Sequence, residues 1–107
     1  MSLLEKAEGQ DREANDGKRQ NDYLLRRAQT LAKKGETDRS IQAFEKLLAN
    51  APSEGRYFAN AAESMLGLKI GPRALRFAEA GLAVARSQNN RDLEGHFQEL
   101  VAAAKKL

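Results

Sequence analysis

The stretch 35–52, GETDRSIQAFEKLLANAP, decides how this chain folds. Ser40, Ile41, Phe44, Leu47 and Leu48 recur at spacings of one, three and four, the period of an α-helix face and not of a strand. Gly35 stands before the stripe and Pro52 closes it. Glycine takes the left-handed conformation at a helix end most readily, and proline cannot continue a helix. Upstream of Gly35, Leu24, Ala28 and Leu31 follow at i, i+4 and i+7, widened by Tyr23, Leu25 and Ala32. Lys33 and Lys34 fill the last turn, where cations complement the helix dipole. Two helices meeting at Gly35 make a hairpin. Asn21 or Asp22 is the expected cap of the first, and Thr37 or Asp38 of the second.

The pattern then returns. A third helix is expected from about Ser53, with Phe58, Ala62 and Met65 as its stripe. GLKIG, residues 67–71, reads as a turn, and Pro72 as a first-turn proline that costs no hydrogen bond. A fourth helix carries Ala74, Leu75, Ala78, Gly81, Leu82 and Ala85. After the polar break Gln88-Asn89-Asn90, a fifth presents Leu93, Phe97, Leu100, Val101 and Ala104. Sliding residues 21–54 over 55–88 without a gap gives eight identities in 34 positions. They are Tyr23/Tyr57, Ala28/Ala62, Arg39/Arg73, Glu45/Glu79, Leu48/Leu82, Ala49/Ala83, Ala51/Ala85 and Ser53/Ser87. Chance pairing at this composition would give roughly two or three. An internal period of this length with helix–turn–helix content signals a repeat architecture, in which hairpins too small to fold alone bury their faces by stacking.

These residues resemble the tetratricopeptide repeat. Leu24, Ala28 and Leu31, and again Phe58, Ala62 and Met65, match the large–small–large pattern of its first helix. Ser40 and Phe44 match its second helix, and Gly35 and Pro52 its turn and terminal proline. The likeness covers residues 21–107. It departs at Arg27, where the family has leucine, and at Leu47, where it has a small residue. It departs also in the second repeat, where the turn glycine is displaced to Gly67 and Gly71 and Ala78 replaces the aromatic. The resemblance implies an all-α, right-handed stack of helix hairpins (an α-solenoid) of about five helices: repeats 21–54 and 55–88, then a terminal helix 90–106. Residues 1–20 are expected to be a weakly structured arm, flexible or a short helix anchored by Leu3 and Leu4, since Gly9 and Gly17 each cost about 1 kcal/mol inside a helix.

Composition narrows the function. The chain has 107 residues, 41% apolar and 31% charged, which suits one domain with a thin core. There is no cysteine, so no disulfide and no thiolate chemistry. His96 is the only histidine and has no nucleophile in a suitable context. The glycines form no phosphate loop, because GLKIGPRA lacks the Gly-Lys-Ser/Thr ending. No apolar run approaches the roughly 20 residues of a membrane span. The expectation is therefore a cytoplasmic, non-catalytic protein without a cofactor. Net charge is +3, spread evenly: residues 1–20 carry five acids and four bases, 21–52 four and six, and 53–107 six and eight.

The resemblance implies a scaffold that binds a peptide or partner protein in a concave groove lined by the first helix of each hairpin. The groove residues so implied are Asp22, Leu25, Gln29, Ala32 and Lys33, then Arg56, Ala59, Asn60, Glu63 and Leu66, with His96, Glu99 and Lys106 from the last helix. The family's clamp for terminal carboxylates does not carry over, since only Asn60 sits suitably and Leu25 and Gln29 replace its first lysine and asparagine. Two other readings stand beside this one. A homodimer could form through the unfinished last helix. Nucleic acid could bind through Arg26, Arg27, Lys33, Lys34, Arg73 and Arg76, but no aromatic interleaves with these bases, which counts against it.

Two repeats are marginal alone, and the fifth helix supplies the missing cover. A fragment of residues 1–89 is therefore expected to lose its cooperative thermal transition. Circular dichroism melting checks this, and a transition near the full-length temperature would overturn it.

Overall fold

The computed structural model describes the backbone of residues 10–107 and the side chains from Arg19 onward. Among these residues every regular element is an α-helix: α1 (Gln10–Lys33), α2 (Thr37–Asn50), α3 (Gly55–Gly67), α4 (Gly71–Ser87) and α5 (Arg91–Lys105). The Leu3–Leu4 anchor lies outside the described residues. α1 pairs with α2 and α3 with α4, while α5 lies along α4 and also touches α3. The first hairpin meets the rest through α3, which contacts both α2 and α1. The Cα extents, 49 × 35 × 15 Å, are those of a slab, and the radius of gyration of 15.2 Å exceeds the ~13 Å of a compact chain this long.

Residue 21 is not a boundary. Within the described residues α1 runs from Gln10 through Asn21 and Asp22 without a break, so neither caps it. Arg12, Glu13, Ala14, Lys18, Arg19 and Gln20 are strong helix formers, and they outweigh the single Gly17. The caps expected at Thr37, Asp38 and Ser53 are also unused: α2 and α3 begin after Glu36 and Glu54, neither with a side-chain cap. Asn90 caps α5, its side-chain oxygen accepting from Leu93 N–H at 3.1 Å.

The 34-residue period is written into the backbone. At the end of α1, Gly35 has φ of 78°. Its N–H donates to Ala32 C=O at 3.0 Å, and Glu36 N–H to Leu31 C=O at 2.9 Å. This pair of bonds is a Schellman turn, which satisfies the last carbonyls of the helix. At the end of α3 the same bonds run from Lys69 to Leu66 at 2.9 Å and from Ile70 to Met65 at 2.9 Å. The left-handed residue there is Lys69, with φ of 61°, so the turn geometry is kept although the glycine is not. Gly67 ends α3, and Gly71 is the first residue of α4, buried against the end of α5. A third turn of this kind, with Asn89 at φ of 56°, joins α4 to α5.

Packing differs between the repeats in a compensating way. Repeat one places Ala43 and Phe44 where repeat two has Phe77 and Ala78, so the aromatic moves by one residue. Both phenylalanines are buried, and their rings meet at 6.3 Å between centroids, tilted by 58°. Ser40 and Ala74 are the small residues at which the two helices of each hairpin approach; Ser40 Oγ also donates to Ala28 C=O at 2.8 Å. Arg73 reaches back from α4 to Glu45 of α2 at 3.0 Å, a contact between repeats.

Leu47 and Gly81 are equivalent in the repeat, yet opposite in size. Leu47 is fully buried and fills its own site. Gly81 leaves a hole that the Phe97 ring of α5 occupies. A methyl group on Gly81 would overlap that ring and stand 2.8 Å from Phe58 Cβ. α5 is thus keyed into the second hairpin by one buried aromatic.

Two sets of variants follow. Phe97→Ala is expected to cost about 3–5 kcal/mol through the cavity it leaves. Gly81→Ala, which should help an isolated helix, is expected instead to cost about 1–3 kcal/mol by overpacking. Urea unfolding measures both. At the turns, Lys69→Gly is expected to stabilise by about 1 kcal/mol and Gly35→Ala to destabilise by about 1–2 kcal/mol, because a left-handed conformation costs a side-chain-bearing residue that much. Equal and negligible shifts at the two positions would contradict the shared turn.

Candidate functional site

An open concavity formed by described side chains lies between α1 and α3. It is an open cleft of about 530 Å³ lined by Gln29, Ala32 and Lys33 of α1 and by Asn60, Glu63, Ser64, Gly67 and Leu68 at the end of α3. Each helix delivers its residues at helical spacing. Gln29 and Lys33 are four apart, as are Asn60 and Ser64, so each pair stacks on one line. Gln29 and Glu63 are also equivalent in the repeat, so the nesting of α3 beside α1 brings two copies of one position to the same cleft. Buried Ala32 forms an apolar patch under this polar rim.

α5 closes one side. His96 Nε2 and Glu63 Oε2 lie 2.8 Å apart, linking the fifth helix to the third at the cleft edge. Both side chains remain substantially exposed, so the link contributes at most about 1 kcal/mol to stability. Its consequence is orientation: one Glu63 oxygen is held toward α5, and the other acceptor sites stay open. The cleft then offers one ammonium (Lys33), one oriented carboxylate (Glu63), two amides that each donate and accept (Gln29 and Asn60) and one hydroxyl (Ser64).

Of the residues implied by resemblance, Gln29, Ala32, Lys33, Asn60 and Glu63 line this cleft, and His96 touches it through Glu63. The others lie elsewhere. Ala59 is buried in the core. Leu25 and Leu66 are half-buried and packed against the core. Arg56 extends over the Tyr57 ring at 5.3 Å and lies 3.8 Å from Glu54, so it is engaged by its own neighbours at the start of α3. Asp22, Glu99 and Lys106 are exposed and do not line the cleft. Ser64, Gly67 and Leu68 were not expected. The i, i+4, i+7, i+8 line through Asn60, Ser64, Gly67 and Leu68 was available as a signal, and Leu68 keeps helical dihedrals and so stays on it.

No protein-family model, curated protein or solved structure matches this chain. No helix among the described residues is long and apolar enough to cross a membrane.

Proposed function

We propose that this protein is a non-catalytic interaction domain of the tetratricopeptide type that holds an extended peptide segment in the α1–α3 cleft. The observation that carries the reading is the convergence of Gln29, Lys33, Asn60 and Glu63, from helices one repeat apart, on one open, partly apolar concavity. A peptide backbone offers alternating donors and acceptors. Gln29 and Asn60 can satisfy both, and Lys33 can take a carbonyl or carboxylate at one end. Ala32 supplies an apolar contact for a side chain between them. Glu63, steadied by His96, favours a basic or hydrogen-bond-donating group on the ligand. Binding by a rigid helical surface of this kind loses little entropy on the protein side, so a short peptide suffices.

The test is selection from a random peptide library, with Asn60→Ala and Gln29→Ala as comparison proteins. Asn60 lines the cleft, whereas Arg56 does not and lies against Glu54. The wild type is expected to enrich a shared motif, and each variant to bind the enriched peptides about tenfold more weakly, the usual loss of one good hydrogen bond to a ligand. Melting temperatures should stay unchanged, because both side chains reach the open cleft. Failure to enrich any motif, or binding by both variants as tight as by the wild type, would refute the assignment.

A further inference from the structure

A second, separate concavity of about 300 Å³ lies on another face of α1. Tyr23, Arg26, Arg27, Thr30 and Lys34 border it, together with buried Leu31. Tyr23 is 60% exposed; Leu107 is the only other large apolar side chain so exposed among the described residues. The internal repeat explains why. Tyr57, the equivalent of Tyr23, is only 5% exposed, and Ala61, the equivalent of Arg27, is fully buried, because α3 has a hairpin packed in front of it. On α1 that same face is uncovered by any described element.

Its chemistry narrows what can cover it. Arg27 in place of Ala61 and Lys34 in place of Leu68 remove the small and apolar residues that a further hairpin would need. A second copy docking face to face would oppose like charges. The charge is also less even than thirds of the chain suggest. Residues 19–34 hold five bases (Arg19, Arg26, Arg27, Lys33, Lys34) against one acid (Asp22), whereas residues 35–107 hold ten bases against nine acids. Among the described residues, no carboxylate forms an ion pair with Arg26, Arg27 or Lys34. An aromatic ring does stand among these cations: Tyr23 precedes Arg26 and Arg27 by three and four residues, which puts them on one face of α1.

We propose that this face binds single-stranded nucleic acid, with Tyr23 stacking on an unpaired base and Arg26, Arg27 and Lys34 holding the phosphates on either side. Arginine forks match phosphate oxygens, and a base of any identity offers a face to an exposed ring. Duplex offers no free base face to Tyr23. An acidic peptide would use the cations and leave the ring idle. An anionic membrane would need further large apolar side chains beside Tyr23 to enter the lipid, and the concavity has none exposed.

The experiment is fluorescence anisotropy of the full chain with a short, labelled, mixed-sequence single-stranded oligonucleotide, over a salt series. Binding is expected at low salt, weakening with a log–log slope of about −2, as three neutralised phosphates on a single strand require. Tyr23→Ala is expected to weaken binding about tenfold or more, Tyr23→Phe to restore it, and Arg27→Glu to remove it, with unchanged circular dichroism in each. Asn60→Ala is expected to leave it unaltered, which separates this face from the peptide cleft. Absence of binding at low salt would overturn the proposal. So would unaltered affinity in Tyr23→Ala, or equal displacement by polyglutamate of matching charge, which would assign the face to an acidic protein segment.

Discussion

The Phe97 ring lies against Gly81 with no space for a methyl group between them. That contact is the constraint on which the rest of the slab depends. The second hairpin has a hole where the first has Leu47, and only a helix from outside the hairpin can fill it. α5 therefore belongs to the fold. It covers α4 and reaches α3, and its register is set by Phe97 against Gly81 and Leu93 against Gly55. With α5 so placed, His96, one residue before Phe97, falls beside Glu63 at the edge of the cleft. Core packing and the geometry of the candidate site are coupled through adjacent residues of one helix.

α3 is the shared wall of the molecule. Its buried residues Tyr57, Phe58, Ala61, Ala62 and Met65 extend around more of its circumference than the buried residues of α1 do, since α3 is packed by elements of both hairpins and by α5. The comparison of equivalent positions in α1 and α3 separates two roles. Where both are buried, as with Ala28 and Ala62, the residue serves the hairpin itself. Where only the α3 residue is buried, as with Tyr57 and Ala61, it serves the junction between repeats. The same comparison shows that the α1 face equivalent to the buried face of α3 is polar, cationic and uncovered by any described element.

The left-handed turns show how the period is enforced. Gly35 and Lys69 make the same two backbone hydrogen bonds, although one is glycine and the other carries a strained side chain. The hairpin closes on this geometry in either case, because satisfying the carbonyls at the end of a helix outweighs about 1–2 kcal/mol of local strain. The turn is thus a property of the fold that tolerates a departure in sequence. The aromatic pair Phe44 and Phe77 tells the same story in the core, where a shift of one residue is absorbed by a small residue alongside.

Periodicity by itself determined that this chain is helical, where the helices stop, and that two hairpins recur at 34 residues, because burying one face imposes a pattern that survives in the linear text. Gln29, Lys33, Asn60 and Glu63 were legible only through the resemblance to the repeat family, which assigns a groove side to the first helix of each hairpin. The long reach of α1 back to Gln10 was not, as exposed helix formers leave no apolar period to read. Only tertiary structure decided that Phe97 fills the space above Gly81, that His96 meets Glu63, and that Tyr23 is left uncovered while Tyr57 is buried. These facts depend on which helices lie side by side and at what distance, and distance between residues far apart in the chain is set by packing.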